Sequence, residues 1–104
     1  MRVEYDLSLR FVDIEIKKVI IDQYYSYKHF EMNDWIILEL IKTLNFRKYL
    51  AESEVGNYRY FSIEPVFHNS KPYRIVFLLE KECNYVGVIN AFRVQEKKHA
   101  LPIR

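Results

Sequence analysis

Residues 2 to 9, RVEYDLSL, alternate. Val3, Tyr5, Leu7 and Leu9 fall on one side of an extended chain, and Glu4, Asp6 and Ser8 on the other. A period of two predicts a half-buried or edge strand. Further on, Ile16, Val19, Ile20 and Gln23/Tyr24 recur at helical spacing, with Asp13 as a candidate N-cap. This predicts a helix from about residue 14 to 27, although FVDIEI within it also alternates. Asn33 and Asp34 open DWIILELIKTL, where Ile37, Leu40, Ile41 and Leu44 form an apolar stripe. An amide N-cap and an acidic first turn suit the positive end of a second helix. Residues 45 to 57 are polar and contain Gly56-Asn57, a loop signal.

The pattern then changes to three strands, YRYFSIEPVF (58 to 67), YRIVFLLEK (73 to 81) and YVGVINAFRV (85 to 94). The connections HNSKP and ECN are short enough for antiparallel hairpins. The middle run is apolar on both sides, Ile75, Phe77 and Leu79 against Val76 and Leu78, as in a central strand covered on both faces. Pro65 marks an edge or a bulge. The expected fold is α+β: an N-terminal strand, two helices, then a three-stranded antiparallel meander with the helices on one face. The 104 residues suffice for a single domain, and QEKKHALPIR reads as a flexible basic tail.

Composition changes this picture little. Half the residues are hydrophobic, which excludes disorder, and nine are Tyr, which offers rings for a partner. The net charge of +2 is too small to indicate nucleic acid by itself, but it is uneven. Residues 1 to 58 hold eight Lys+Arg and ten Asp+Glu, and residues 59 to 104 hold eight and four. The single cysteine, Cys83, lacks CxxC spacing and reads as an incidental thiol of a reducing compartment. No apolar run approaches membrane length, and MRVEYDLSLR does not read as a signal peptide, so a cytoplasmic location without membrane partners is expected.

The candidate chemistry lies in the second half. Strict alternation of YVGVINAFRV places Asn90 with Val86, Val88, Phe92 and Val94, and Arg93 with Tyr85, Gly87, Ile89 and Ala91. A lone amide on an apolar face either satisfies a backbone group or meets a polar ligand. Arg59, Arg74 and Arg93 lie near strand ends, beside Tyr or Phe. In an antiparallel meander Arg74 and Arg93 are expected to approach one another, a pairing that suits a phosphate between them; strand-end arginines otherwise stay in water. His29 precedes the second helix, His68 lies in HNSKP and His99 in the tail. Their spacing makes no metal site, and no glycine-rich phosphate loop or GxSxG is present, so no metal or other cofactor is expected.

The order strand, helix pair, basic meander resembles the RelE/ParE toxin fold and the wider group of small RNases with EndoU and colicin-type nuclease domains. KPYRIVFLLEKECNYVGVINAFRV looks like their paired strands, and KHFEMNDWIILELIKTL looks like toxin-like domains in which a His precedes a helix. The stretch FEMND lacks the second basic residue of that pattern. The resemblance implies a metal-independent endoribonuclease, in which a 2′-hydroxyl attacks the adjacent phosphate. His29 would be base or acid, Arg74 and Arg93 would hold the phosphate, and Arg59, His68, Tyr73 and Asn90 would bind substrate. Two other readings stand beside it. One is a non-catalytic interaction module, such as an immunity or antitoxin-like partner or a small regulator, whose aromatic face and acidic first half bind a basic protein. The other is an RNA-binding protein that does not cleave.

Overall fold

A computed structural model describes residues 1–11 and 14–95. Asp13, His99 and the tail from residue 96 therefore lie outside the described residues. The elements are β1 (Arg2–Phe11), β2 (Ile14–Asp22), a short 3-10 helix (Gln23–Tyr27), α1 (Asp34–Thr43), β3 (Ser53–Val55), β4 (Tyr58–His68), β5 (Lys71–Glu80) and β6 (Tyr85–Arg93). All six strands form one sheet in the order β1-β2-β6-β5-β4-β3. Every neighbouring pair is antiparallel except β2 and β6, which run parallel.

This corrects the expected architecture. The first predicted helix is strand β2, and the sheet has six strands rather than a meander of three plus one. The reason lies in an irregularity of the β1–β2 ladder. Pairing is regular from Arg2↔Asp22 to Asp6↔Lys18, then shifts before Leu9↔Ile16. Across the shift Lys17 and Lys18 are both exposed, while Ile16 and Val19 are both fully buried. A kinked strand thereby buries residues three apart, the spacing that otherwise marks a helix.

The core lies between one face of the sheet and α1. Leu9 and Phe11, Ile16, Val19 and Ile21, Val86 and Val88, Ile75, Phe77 and Leu79, and Phe61 all face it. The helix contributes the expected stripe, Ile37, Leu40, Ile41 and Leu44. Asn33 caps it as expected, its side chain accepting from the Ile36 amide at 2.9 Å. Phe11 packs edge-on to Phe61 and Phe77, which stack on each other.

The opposite face of the sheet is not covered by a second layer of described residues. Val76 and Leu78 of β5 and Ile20 of β2 are half-buried there, and Tyr58 and Ile89 are exposed. The central strand is thus covered on one side only, against expectation. Pro65 falls at a register shift of the β4–β5 ladder between Ile63 and Val66, the expected bulge, on a part of β4 beyond the reach of β3. Gly56-Asn57 turns β3 into β4, with Gly56 at φ 59°, a conformation glycine adopts freely.

Candidate functional site at the sheet end

Asn90 marks the departure of β6 from simple alternation. The β5–β6 ladder shifts between Val76↔Asn90 and Phe77↔Val88, leaving Ile89 as the extra residue of a bulge. Val86, Val88 and Ala91 therefore all face the core, and Asn90 lies with Val76 on the open face. Its side-chain oxygen accepts from the Ala91 amide at 3.0 Å, so the amide serves the bulge backbone.

The bulge also separates the two arginines expected to converge. Arg74 pairs with Phe92, and Arg93 with Tyr73, so the side chains of Arg74 and Arg93 leave opposite faces of the sheet. Arg74 Nε lies 3.3 Å from Glu64 Oε1, an ion contact without an aligned hydrogen bond. Arg59 lies farther along, paired with Leu79, and its Nε is buried without a hydrogen-bond partner among the described residues. Arg59, Arg74 and Asn90 therefore do not join Arg93.

Other predicted residues do gather where β4 ends and β5 begins. Tyr73 is the register partner of both Val66 and Arg93. His68, paired with Lys71, sets its ring edge-on to Tyr73 at 6.3 Å between centroids. Beyond Val88 the outer edge of β6 is vacated by β2, and the chain after the 3-10 helix runs along it. There Glu31 Oε2 accepts from the Arg93 amide at 3.2 Å and lies 4.0 Å from His29 Nδ1. The His29 ring stacks on Phe92, 4.9 Å between centroids. One end of the sheet thus carries exposed Arg93, buried Tyr73 and half-buried His68 on one face. Half-buried His29, stacked on the register partner of Arg74, lies toward the other face and meets Arg93 only through the contact of Glu31 with its backbone amide.

Glu31 and Lys71 belong to this end and were not singled out from sequence. Glu31 stands two residues after His29 and Lys71 in the HNSKP turn, but only the register shows which strand end each meets. Tyr27 and Phe30, on either side of His29 in the chain, are 76% and 87% exposed. Two more features escaped the sequence. Asp34, at the start of α1, accepts from Tyr5 Oη at 2.5 Å, Tyr25 Oη at 2.6 Å and Gln23 Nε2 at 3.1 Å. The hydrogen bond to Asp34 raises the Tyr5 hydroxyl above its usual range, and burial, then the same bond, raises Tyr25 further. Burial and a 2.8 Å bond to Glu80 push the Tyr85 hydroxyl to about 12. Desolvation, with Glu80 next, likewise raises the Cys83 thiol above its ordinary value, the direction of a less reactive group.

Among the described residues, no group of three or more His, Cys, Asp or Glu side chains is placed to hold a metal, and no helix is long and apolar enough to cross a membrane. The chain is an α+β protein built on one mixed sheet with a single helix layer and a polar sheet end. No family model, no curated protein and no solved structure matches it.

Proposed function

We propose that the protein is a metal-independent endoribonuclease of toxin type that works at the sheet end. The observation carrying this reading is the juxtaposition of Arg93 with Tyr73 across the β5–β6 ladder, with His68 over Tyr73 and Glu31 tying the Arg93 backbone to the His29 segment. Cleavage of RNA by its own 2′-hydroxyl needs a base for that hydroxyl, an acid for the departing 5′-oxygen, and a cation on the phosphate. His68, on the face of Arg93, takes the 2′ proton, and water delivers a proton to the leaving oxygen, forming a cyclic phosphate and a free 5′-hydroxyl. Arg93 replaces the expected Arg74–Arg93 pair as the phosphate clamp, with Lys71 beside it. The exposed rings of Tyr27 and Phe30 suit stacking of neighbouring bases.

The test is incubation of purified protein with total RNA in EDTA. Fragments ending in cyclic phosphate are expected from the wild type and from Arg74→Ala, and not from Arg93→Ala. Intact RNA with wild-type protein, or equal cleavage by Arg93→Ala, overturns the assignment.

One observation favours the second reading, a non-catalytic interaction module. The sheet face opposite α1 leaves Tyr58 and Ile89 exposed, and Ile20, Val76 and Leu78 half-covered, a surface fitted for a protein partner.

A further inference from the structure

The open sheet face contains a groove of about 310 Å³. Its floor is a single row across three strands, Ile20 of β2, Gly87 of β6 and Leu78 of β5, which are register partners. Tyr60 of β4 continues the row, and Tyr58 and Tyr85 are among the other lining residues. Gly87 makes the floor hollow, since a Cβ there would lie 3.1 Å from Leu78 Cδ1. Any larger side chain at this position would stand in the groove itself.

The charges around the groove are unequal. Glu80 is the register partner of Tyr58 and accepts the Tyr85 hydroxyl at 2.8 Å, which sets its carboxylate beside two of the three rings. Asp22 lines the other end, with one oxygen taken by the Tyr24 amide at 2.9 Å. Arg2, the register partner of Asp22, is the one cation among the lining residues. Lys18, the next cation on this face, is paired with Glu4 at 3.5 Å. Two carboxylates against one guanidinium, with three tyrosine rings, make a site that favours positive charge. Ring faces attract cations electrostatically, and a planar guanidinium also stacks on tyrosine. A phosphate-bearing ligand would meet more like charge than opposite charge here.

We propose that this groove binds an arginine side chain presented by a basic protein partner, the guanidinium lying among Tyr58, Tyr60 and Tyr85 with Glu80 as its counter-ion. The proposal rests on the interaction reading and supplies its anchor. The groove shares the open face with Arg74 and Glu64 but lies farther along the strands, and its lining includes none of the sheet-end residues His29, His68 or Arg93.

The test is an NMR titration of isotope-labelled full-length protein with acetyl-Gly-Arg-Gly-amide, beside acetyl-Gly-Glu-Gly-amide and AMP. Saturable shifts of the Gly87 amide are expected with the arginine peptide alone. Binding should weaken roughly fivefold in Tyr60→Ala and in Glu80→Gln, in keeping with a cation–ring contact at a partly exposed site. Glu80→Gln keeps the shape of the side chain and an acceptor for Tyr85, so it reports on charge even if Tyr60→Ala unfolds. No saturable shift, equal response to the glutamate peptide or AMP, or unchanged affinity in Glu80→Gln overturns the proposal. The interaction reading fails on another measurement, RNA cleavage abolished by Arg93→Ala, so the two failures are distinguishable.

Discussion

Asp34 carries more of the local structure than any other polar residue described. It begins α1, where its charge suits the helix dipole, and it also gathers Tyr5 from β1 with Tyr25 and Gln23 from the 3-10 helix. Removing its carboxylate leaves two hydroxyls without their acceptor in a partly buried place, and leaves the Gln23 amide only the Ile21 carbonyl at 3.3 Å. Asp34→Ala is expected to lower stability by about 1–3 kcal/mol in urea unfolding, more than Asn33→Ala at about 1 kcal/mol. The tyrosines set a pH dependence. Tyr5 and Tyr25 hold their protons more tightly folded than unfolded, where the ordinary value is 10.0. Their contribution is therefore full below that value and is lost as pH rises through the higher folded values. Unfolding free energy should stay level to about pH 9 and fall beyond about pH 10, with a shallower fall in Tyr25→Phe. A flat profile in the wild type would contradict the hydrogen bonds to Asp34.

At the scale of elements, two bulges decide which residues face the core. Opposite the extra residue of β1 between Asp6 and Leu9, β2 buries both Ile16 and Val19, and in β6 the extra Ile89 does the same for Val88 and Ala91. A pair of substitutions separates strand from helix for β2. Ile20 faces the groove and is half-buried, whereas Ile21 is fully buried. Ile20→Lys should fold with a loss of about 1 kcal/mol, and Ile21→Lys should fail to give a cooperative thermal transition. A helix at 14 to 27, with Ile16, Val19 and Ile20 on its apolar stripe, would instead make Ile20 the more sensitive of the two. The free edge of β1 is partly closed by the chain after α1. The Arg10 amide donates to Asn45 Oδ1 and its carbonyl accepts from the Phe46 amide, both at 2.8 Å. Such cover limits pairing with another strand.

For the whole molecule, the sheet sorts the candidate cations. Arg74 lies on the open face with Glu64, and Arg93 lies at the polar end beside Tyr73. If the sheet end cleaves RNA, replacing Arg93 or His68 by Ala should reduce the rate by about 10²-fold or more, as expected for loss of a charge-stabilising or proton-transfer group. Arg74→Ala should stay within about threefold on the same basis. A deep loss from Arg74→Ala would move the site to the open face.

The period-two pattern of RVEYDLSL, the capped stripe of DWIILELIKTL and the three C-terminal strands were all legible, because each element's own residues set its hydrophobic period and its cap. Pro65 likewise announced its bulge, since it lacks the amide a ladder requires. The strand nature of β2, the face of Asn90 and the parting of Arg74 from Arg93 were decided only in three dimensions. Each depends on a one-residue shift between two strands, and a shift is a property of the pair. The joining of His29 to Arg93 through Glu31 has the same origin. It exists because β2 leaves the edge of β6 after Val88, and an edge with unpaired amides draws in whatever chain passes it.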